Sequence, residues 1–155
     1  ALWPADGLDA LRAQSDVVIL ALPLNESTHG LFNAARLSRM KPGSLLCNMA
    51  RGAIVVTDDL IAAIRCGHLA GAVMDVTEPE PLPPGHPLWE TPNVIITPHV
   101  GGQSALRIDN MTRLFCENLK RCQAGQPLVN HLADKRLGFP IRVAGVPGWG
   151  EGELT

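Results

Sequence analysis

The chain has 155 residues, 46% of them hydrophobic and 18% charged, a balance that fits one domain with a packed core. Lys+Arg 13 against Asp+Glu 15 leaves a formal net charge of −2, which gives no footprint for nucleic acid or an anionic membrane. No apolar run approaches the roughly 18 residues of a spanning helix, and no basic-then-apolar leader opens the chain, so neither a membrane span nor a signal peptide is expected.

In chain order, the opening "ALWPADGLDALRAQ" has no initiator Met and reads as the end of an element already under way. Four apolar runs follow: "DVVILALP" (16–23), "SLLCNMA" (44–50), "AGAVMDV" (70–76) and "NVIITPH" (93–99). They are continuous rather than alternating, the pattern of parallel strands covered on both faces. Between them lie helical stretches. "NAARLSRM" (33–40) is short and stops before Pro42-Gly43. "TDDLIAAIRCG" (57–67) has Thr57 as the expected N-cap, Asp58 and Asp59 where the macrodipole favours acids, and Gly67 as the closing residue. Strand and helix alternating in this way predict an α/β fold with a parallel sheet.

After the last strand the pattern changes. "SALRIDNMTRLFCENLKRCQAG" (104–125) sets Ile108, Met111, Phe115, Leu119 and Cys122 on one stripe, with Ser104 to cap the start and Gly125 the end. Some 20 helical residues span about 30 Å, enough to cross from one domain to another. From Leu137 Gly and Pro rise, and a poorly ordered tail is expected. Cys47, Cys66, Cys116 and Cys122 fit no zinc spacing; they read as core or helix-face residues, and no metal site is predicted. A reducing, cytoplasmic setting follows.

In an open parallel sheet, ligands bind beyond the carboxyl ends of the strands. Those ends carry Leu22-Pro23-Leu24, then Met49-Ala50-Arg51-Gly52, then Asp75 with Glu78 and Glu80, then His99-Val100-Gly101-Gly102. Arginine offers a fixed planar fork suited to a carboxylate. Histidine is the side chain that exchanges a proton near neutral pH, and a neighbouring carboxylate favours its charged form. Such a trio can hold a 2-oxo acid and protonate its carbonyl oxygen as a hydride arrives. Taken singly, Arg51 fits a carbonyl cap or a surface ion pair, Asp75 a turn acid, and Glu80 a solvated loop acid. His29, His68, His86 and His131 read as surface or structural residues, and Trp89 as packing for the loop beneath the sheet.

The stretch "NMARGAIVVTDDLIAAIRCGHLAGAVMDVTEPEPLPPGHPLWETPNVIITPHVGG", with "DVVILALPLNESTHGLFN" before it, resembles the D-isomer-specific 2-hydroxyacid dehydrogenases over about residues 16–138. "EPLPPGHPLWETP" is nearest in character to the glyoxylate/hydroxypyruvate reductase branch. The resemblance implies the second half of a Rossmann-type doubly wound sheet, with a long helix returning toward an absent substrate domain. It implies that Arg51 binds substrate, Glu80 pairs with the histidine, and His99 is the general acid/base. It further implies that Asp75 holds the nicotinamide carboxamide, and that Pro23, Met49, His99 and Gly101 line the cofactor, NAD or NADP. Asn25 stands where the family often has Thr and is not carried over. The implied partners are a small 2-oxo or 2-hydroxy acid and a second copy of the whole protein. An alternative in the same fold is an NAD(H)-sensing corepressor.

The sequence departs from the family in one large respect. It contains no G-x-G-x-x-G, and the Gly-rich "GVPGWGEG" has no strand-to-helix context. Residues 1–138 are therefore expected to be a partial dinucleotide-binding domain and 139–155 a tail. The isolated chain is expected to bind the cofactor weakly and to show little or no turnover.

Overall fold

The computed structural model describes residues 7–129, together with the paired backbone of Ala133–Asp134 and Phe139–Pro140. The chain divides into two compact units, one ending at Gly101 and one beginning at Gly102. In the first, β1 (Val17–Leu20), β2 (Leu45–Asn48), β3 (Gly71–Met74) and β4 (Val94–Ile96) form a parallel sheet in the order β1-β2-β3-β4. Helices α1 (Leu8–Gln14), α2 (Ala34–Leu37) and α3 (Thr57–Arg65) accompany the strands. This is the α/β architecture that the alternation predicts.

Each strand is shorter than its apolar run, because the last residues of each run leave the ladder and build the rim. Pro23 and Pro98 have no N–H to continue it. Gly71 lets β3 approach the chain entering β4: a Cβ there would lie 2.3 Å from the Asn93 carbonyl oxygen.

Side chains alternate between the two faces of a strand. One face carries Val18, Leu20, Leu46, Ala72 and Met74, which pack with Leu37 of α2 and Leu60 and Ile64 of α3 in the buried core. The other carries Val17, Ile19, Leu45 and Ile95, which are 50%, 60%, 41% and 61% exposed. The expectation of cover on both faces is thus corrected for the described residues. A continuous apolar run records the composition of both faces, not what lies over each.

Two expected caps also differ. Thr57 is the first residue of α3 rather than its N-cap, a place taken by Val56 without a side-chain bond. Asp59 instead reaches across to α2, where its Oδ2 accepts from the Ala34 N–H at 2.7 Å. Gly67 does close α3, at φ +78° just beyond the C-cap Cys66.

In the second unit, α4 (Arg107–Gln123) starts two residues later than Ser104 predicts. The Ser104 hydroxyl accepts from the Leu106 N–H at 3.3 Å, a turn bond ahead of the helix rather than a cap. Gly125, at φ +65°, follows its end. Ile108, Met111, Phe115 and Leu119 form the predicted stripe and are exposed. Two short strands, β5 (Ala133–Asp134) and β6 (Phe139–Pro140), pair antiparallel. The rest of the expected tail lies outside the described residues. Among those residues no helix is long and apolar enough to cross a membrane.

Candidate active site

The carboxyl rim of β3 and β4 is the most densely bonded part of the sheet edge. The Thr97 N–H continues the ladder by donating to the Met74 carbonyl at 3.0 Å. The chain then turns, and His99 takes a left-handed φ of +54°. A non-glycine residue rarely holds that conformation without support. Its own N–H donates to the carbonyls of Asp75 and Thr97 at 2.9 and 3.0 Å. The Asp75 side chain supplies the rest. Its Oδ1 accepts from the Thr97 hydroxyl at 2.6 Å and from the Val100 N–H at 2.9 Å, and its Oδ2 from the Gly101 N–H at 2.7 Å. These donors, the Thr97 hydroxyl first, hold the Asp75 carboxyl below the usual carboxylate range.

The histidine meets its expected partner. His99 Nδ1 lies 2.6 Å from Glu80 Oε1. An ionised carboxylate can only accept, so Nδ1 carries the hydrogen and Nε2 is left as the ring's second functional atom. Glu80 sits in the loop after β3 between Pro79 and Pro81, and both Glu–Pro bonds of that loop are cis. Beside the pair opens a cavity of about 380 Å³ lined chiefly by Glu80, Leu82, Trp89, Ile96, Pro98 and His99. Trp89 does not pack beneath the sheet as its sequence context suggests. It is 53% exposed, and its Nε1–H donates to the Pro83 carbonyl at 3.0 Å. The indole N–H fixes the loop, and its ring forms a wall of the cavity.

Arg51 reaches the same rim by a different device. Buried Asn48, the last residue of β2, donates from Nδ2 to the Arg51 carbonyl at 2.9 Å and accepts from the Ala50 N–H at 3.0 Å. Gly52 then lies against the Thr77–Glu78 backbone: a Cβ there would stand 2.0 Å from the Thr77 oxygen. The guanidinium itself is exposed, and Nη1 donates to the Ala50 carbonyl at 2.6 Å. The structure thus joins Glu80, His99, Asp75 and Gly101 by direct bonds, while the Arg51 side chain folds onto its own turn.

Sequence reasoning missed Thr97 and Asn48, and placed Gly52 at the rim without a role. Each lies inside a motif already singled out, next to or within three residues of a chosen one, and that proximity was the available signal. Of the remaining histidines, His68 Nε2 meets the Leu37 carbonyl at 3.1 Å and His86 Nδ1 accepts from the Leu88 N–H at 3.1 Å, both structural uses. His131 lies outside the described residues.

Residues 2–101 match the family model described as "D-isomer specific 2-hydroxyacid dehydrogenase, NAD binding domain". The chain belongs to this family. A glyoxylate reductase of Thermofilum pendens is 42% identical over 112 residues, covering 72% of this chain and 33% of the relative. Among solved structures, a D-isomer specific 2-hydroxyacid dehydrogenase of Xanthobacter autotrophicus Py2, in complex with NADPH and MES, superposes with TM-score 0.75 at 41% identity. It covers 83% of this chain and 52% of that one. The NADPH-dependent glyoxylate/hydroxypyruvate reductase of Sinorhizobium meliloti, in complex with NADP and sulfate, gives TM-score 0.80 at 34% identity over 88% and 44% of the two chains. The chain therefore spans between a third and about half the length of these relatives. The relatives are named as enzymes, and the corepressor reading is not favoured.

Membership of a dehydrogenase NAD-binding domain makes a nicotinamide dinucleotide the cofactor to test against the residues. An ionised carboxylate has about four acceptor positions, and three on Asp75 are taken. One on Oδ2 remains for an amide donor. Gly101 keeps the strip beside it bare, since a Cβ there would stand 2.9 Å from Asp75 Oδ2 and 3.0 Å from Met49 Cε. Met49 is 46% exposed at the same place, an apolar wall. Pro23 lies three residues beyond the end of β1, its carbonyl accepting from the Thr28 hydroxyl at 2.7 Å. These groups fit the nicotinamide end of the cofactor. The sequence has no G-x-G-x-x-G to receive its pyrophosphate.

Proposed function

We propose that this chain, as part of a longer polypeptide, supplies the nicotinamide-binding and proton-transfer half of an NAD(P)-dependent oxidoreductase that interconverts small 2-oxo and 2-hydroxy acids. The observation that carries this reading is the His99–Glu80 pair, 2.6 Å long, in a braced turn at the carboxyl rim of a parallel sheet. Glyoxylate and hydroxypyruvate are the substrates suggested by the names of the relatives. A cytoplasmic homodimer is proposed for the whole protein on the family resemblance.

A nicotinamide dinucleotide held here would supply the hydride for the carbonyl carbon in the reductive direction. Arg51 swings from the Ala50 carbonyl to fork the substrate carboxylate and polarise the carbonyl. His99 gives the Nε2 proton to the carbonyl oxygen, and Glu80 stabilises the charged imidazole through Nδ1 before that transfer. In the oxidative direction His99 takes the hydroxyl proton back. Asp75 would hold the carboxamide through the free acceptor position on Oδ2, and Met49, Pro23 and Gly101 would line the ring.

Two measurements test the reading. In the longer polypeptide, His99→Asn is expected to lower kcat for glyoxylate by about 10²–10⁴-fold, the usual worth of a positioned general acid. An unchanged kcat and pH profile would remove His99 from the mechanism. In the 155-residue chain, reduced nicotinamide mononucleotide at millimolar concentration is expected to shift the amide resonances of Asp75 and Gly101 while AMP does not. Equal response to both ligands, or to neither, counts against the site. The chain alone is expected to turn over slowly or not at all, and ordinary enzyme rates would overturn that expectation.

A further inference from the structure

The proposed function uses His99 and Glu80 but leaves open what keeps the histidine in place. The left-handed φ of +54° is unfavourable for a side chain with a Cβ, and such conformations persist where the surroundings over-determine them. At this turn the surroundings converge on one carboxylate. Asp75 gathers the Thr97 hydroxyl and the Val100 and Gly101 N–H groups, one donor from before His99 and two from after it. The clamp therefore spans the histidine.

Thr97 is the member that ties the clamp to the sheet. Its N–H is bonded to the Met74 carbonyl, so its Cα is a fixed point at the end of β4. Its hydroxyl bond to Asp75 Oδ1, at 2.6 Å, is the shortest of the three and the only one from a side chain. Without it, Asp75 keeps the Val100 N–H on Oδ1 and the Gly101 N–H on Oδ2, both from the turn itself, and the carboxylate loses its one side-chain tie to the end of β4. Carboxylate and turn would then shift together relative to β4, and Nδ1 of His99 would lose its alignment on Glu80.

We propose that Thr97 is a positioning residue: its hydroxyl orients the Asp75 carboxylate, which holds the His99 turn so that Nδ1 stays on Glu80 and Nε2 stays available to the substrate. The role in catalysis rests on the function proposed above, whereas the latch itself is a property of this chain and can be read without turnover.

The test compares Thr97→Val, which keeps the shape and removes the hydroxyl, with Thr97→Ser, which keeps the hydroxyl. In the 155-residue chain, Thr97→Val is expected to speed amide hydrogen exchange at Val100 and Gly101 by 10-fold or more, on the order expected when a local bond is lost. The downfield Nδ1–H resonance of His99 should broaden or vanish. Thr97→Ser should preserve both signals. In the longer polypeptide, Thr97→Val should lower kcat by up to about 100-fold, the scale of a 1 Å misplacement, with KM for NADPH little changed. Thr97→Ser should restore kcat. Should Thr97→Val not fold, Thr97→Ala takes its place, and it must behave as Val and not as Ser. Unaltered exchange and an intact Nδ1–H signal in the hydroxyl-free variant overturn the latch. An intact kcat with a raised KM for NADPH overturns the link to His99, because Thr97 would then act only through the cofactor contact of Asp75.

Discussion

The turns that carry His99 and Arg51 lie on the same rim but are built to different degrees. At His99 both backbone and side chain are fixed: Asp75 braces the turn and Glu80 takes the ring. At Arg51 only the backbone is fixed, by Asn48 and by the close approach of Gly52 to Thr77, and the guanidinium rests on the carbonyl before it. The proposed proton-transfer pair is assembled in advance, while the proposed fork for the substrate carboxylate would have to move. This division suits chemistry in which a misplaced proton donor costs rate and a mobile cation can close on an arriving anion.

The comparison breaks most readily at Gly52. Gly52→Ala drives a Cβ into the Thr77 carbonyl, where only backbone can give way. A loss of about 3 kcal/mol or more is expected in urea unfolding, at the upper end for overpacking. Gly101→Ala makes the matching intrusion at the His99 turn, but meets the far end of the flexible Met49 side chain and a carboxylate oxygen at 3.0 and 2.9 Å. Its cost should be smaller, about 1–2 kcal/mol. Equal costs would mean that the two turns are equally rigid.

Asn48→Ala comes next. It leaves the Ala50 N–H and the Arg51 carbonyl without their buried partner, at about 1–3 kcal/mol. Its effect on turnover should appear in KM for the 2-oxo acid rather than in the pH profile, because it loosens the arginine turn and leaves the histidine turn alone. A changed pH profile with an unchanged KM would contradict the division drawn above.

The smallest expected effect is one of pH. The Asp75 carboxyl is held below its ordinary range, first by the Thr97 hydroxyl and then by the Val100 and Gly101 N–H groups. A carboxylate depressed in the folded state contributes stability that is fully present above its unfolded pKa and is lost as pH falls through the folded one. Urea midpoints should therefore decline on acidification below the ordinary carboxylate range. Asp75→Asn should show a shallower decline. The same decline in both would assign the acid sensitivity elsewhere.

Much of the site was legible before any coordinates. The four apolar runs located the strands, and the rule that ligands sit at carboxyl ends picked out Arg51, Asp75, Glu80 and His99. Strand ends, charge types and motif order are local properties, and local properties are written in the chain. The errors came where a residue's partner is distant or its backbone angle decides. Thr57 and Ser104 are good capping residues by type, yet each stands one or more positions away from the cap. Asp59 caps a helix 25 residues earlier in sequence, which no local pattern reveals. Trp89 has the size of a core residue but uses its N–H on a loop carbonyl and leaves its ring exposed.

The sequence by itself thus determined the family, the α/β alternation and the residues at the rim, because these follow from residue type and spacing. Only the tertiary structure decided that the sheet has one covered and one exposed face within the described chain, since cover depends on what packs there and not on the strand's own apolarity. It alone decided that Gly52 must be glycine, because the clash is with a backbone 25 residues away. And it alone turned Thr97 from the first letter of a motif into the anchor of the histidine, because a hydrogen bond between β3 and β4 exists only after the two strands have paired.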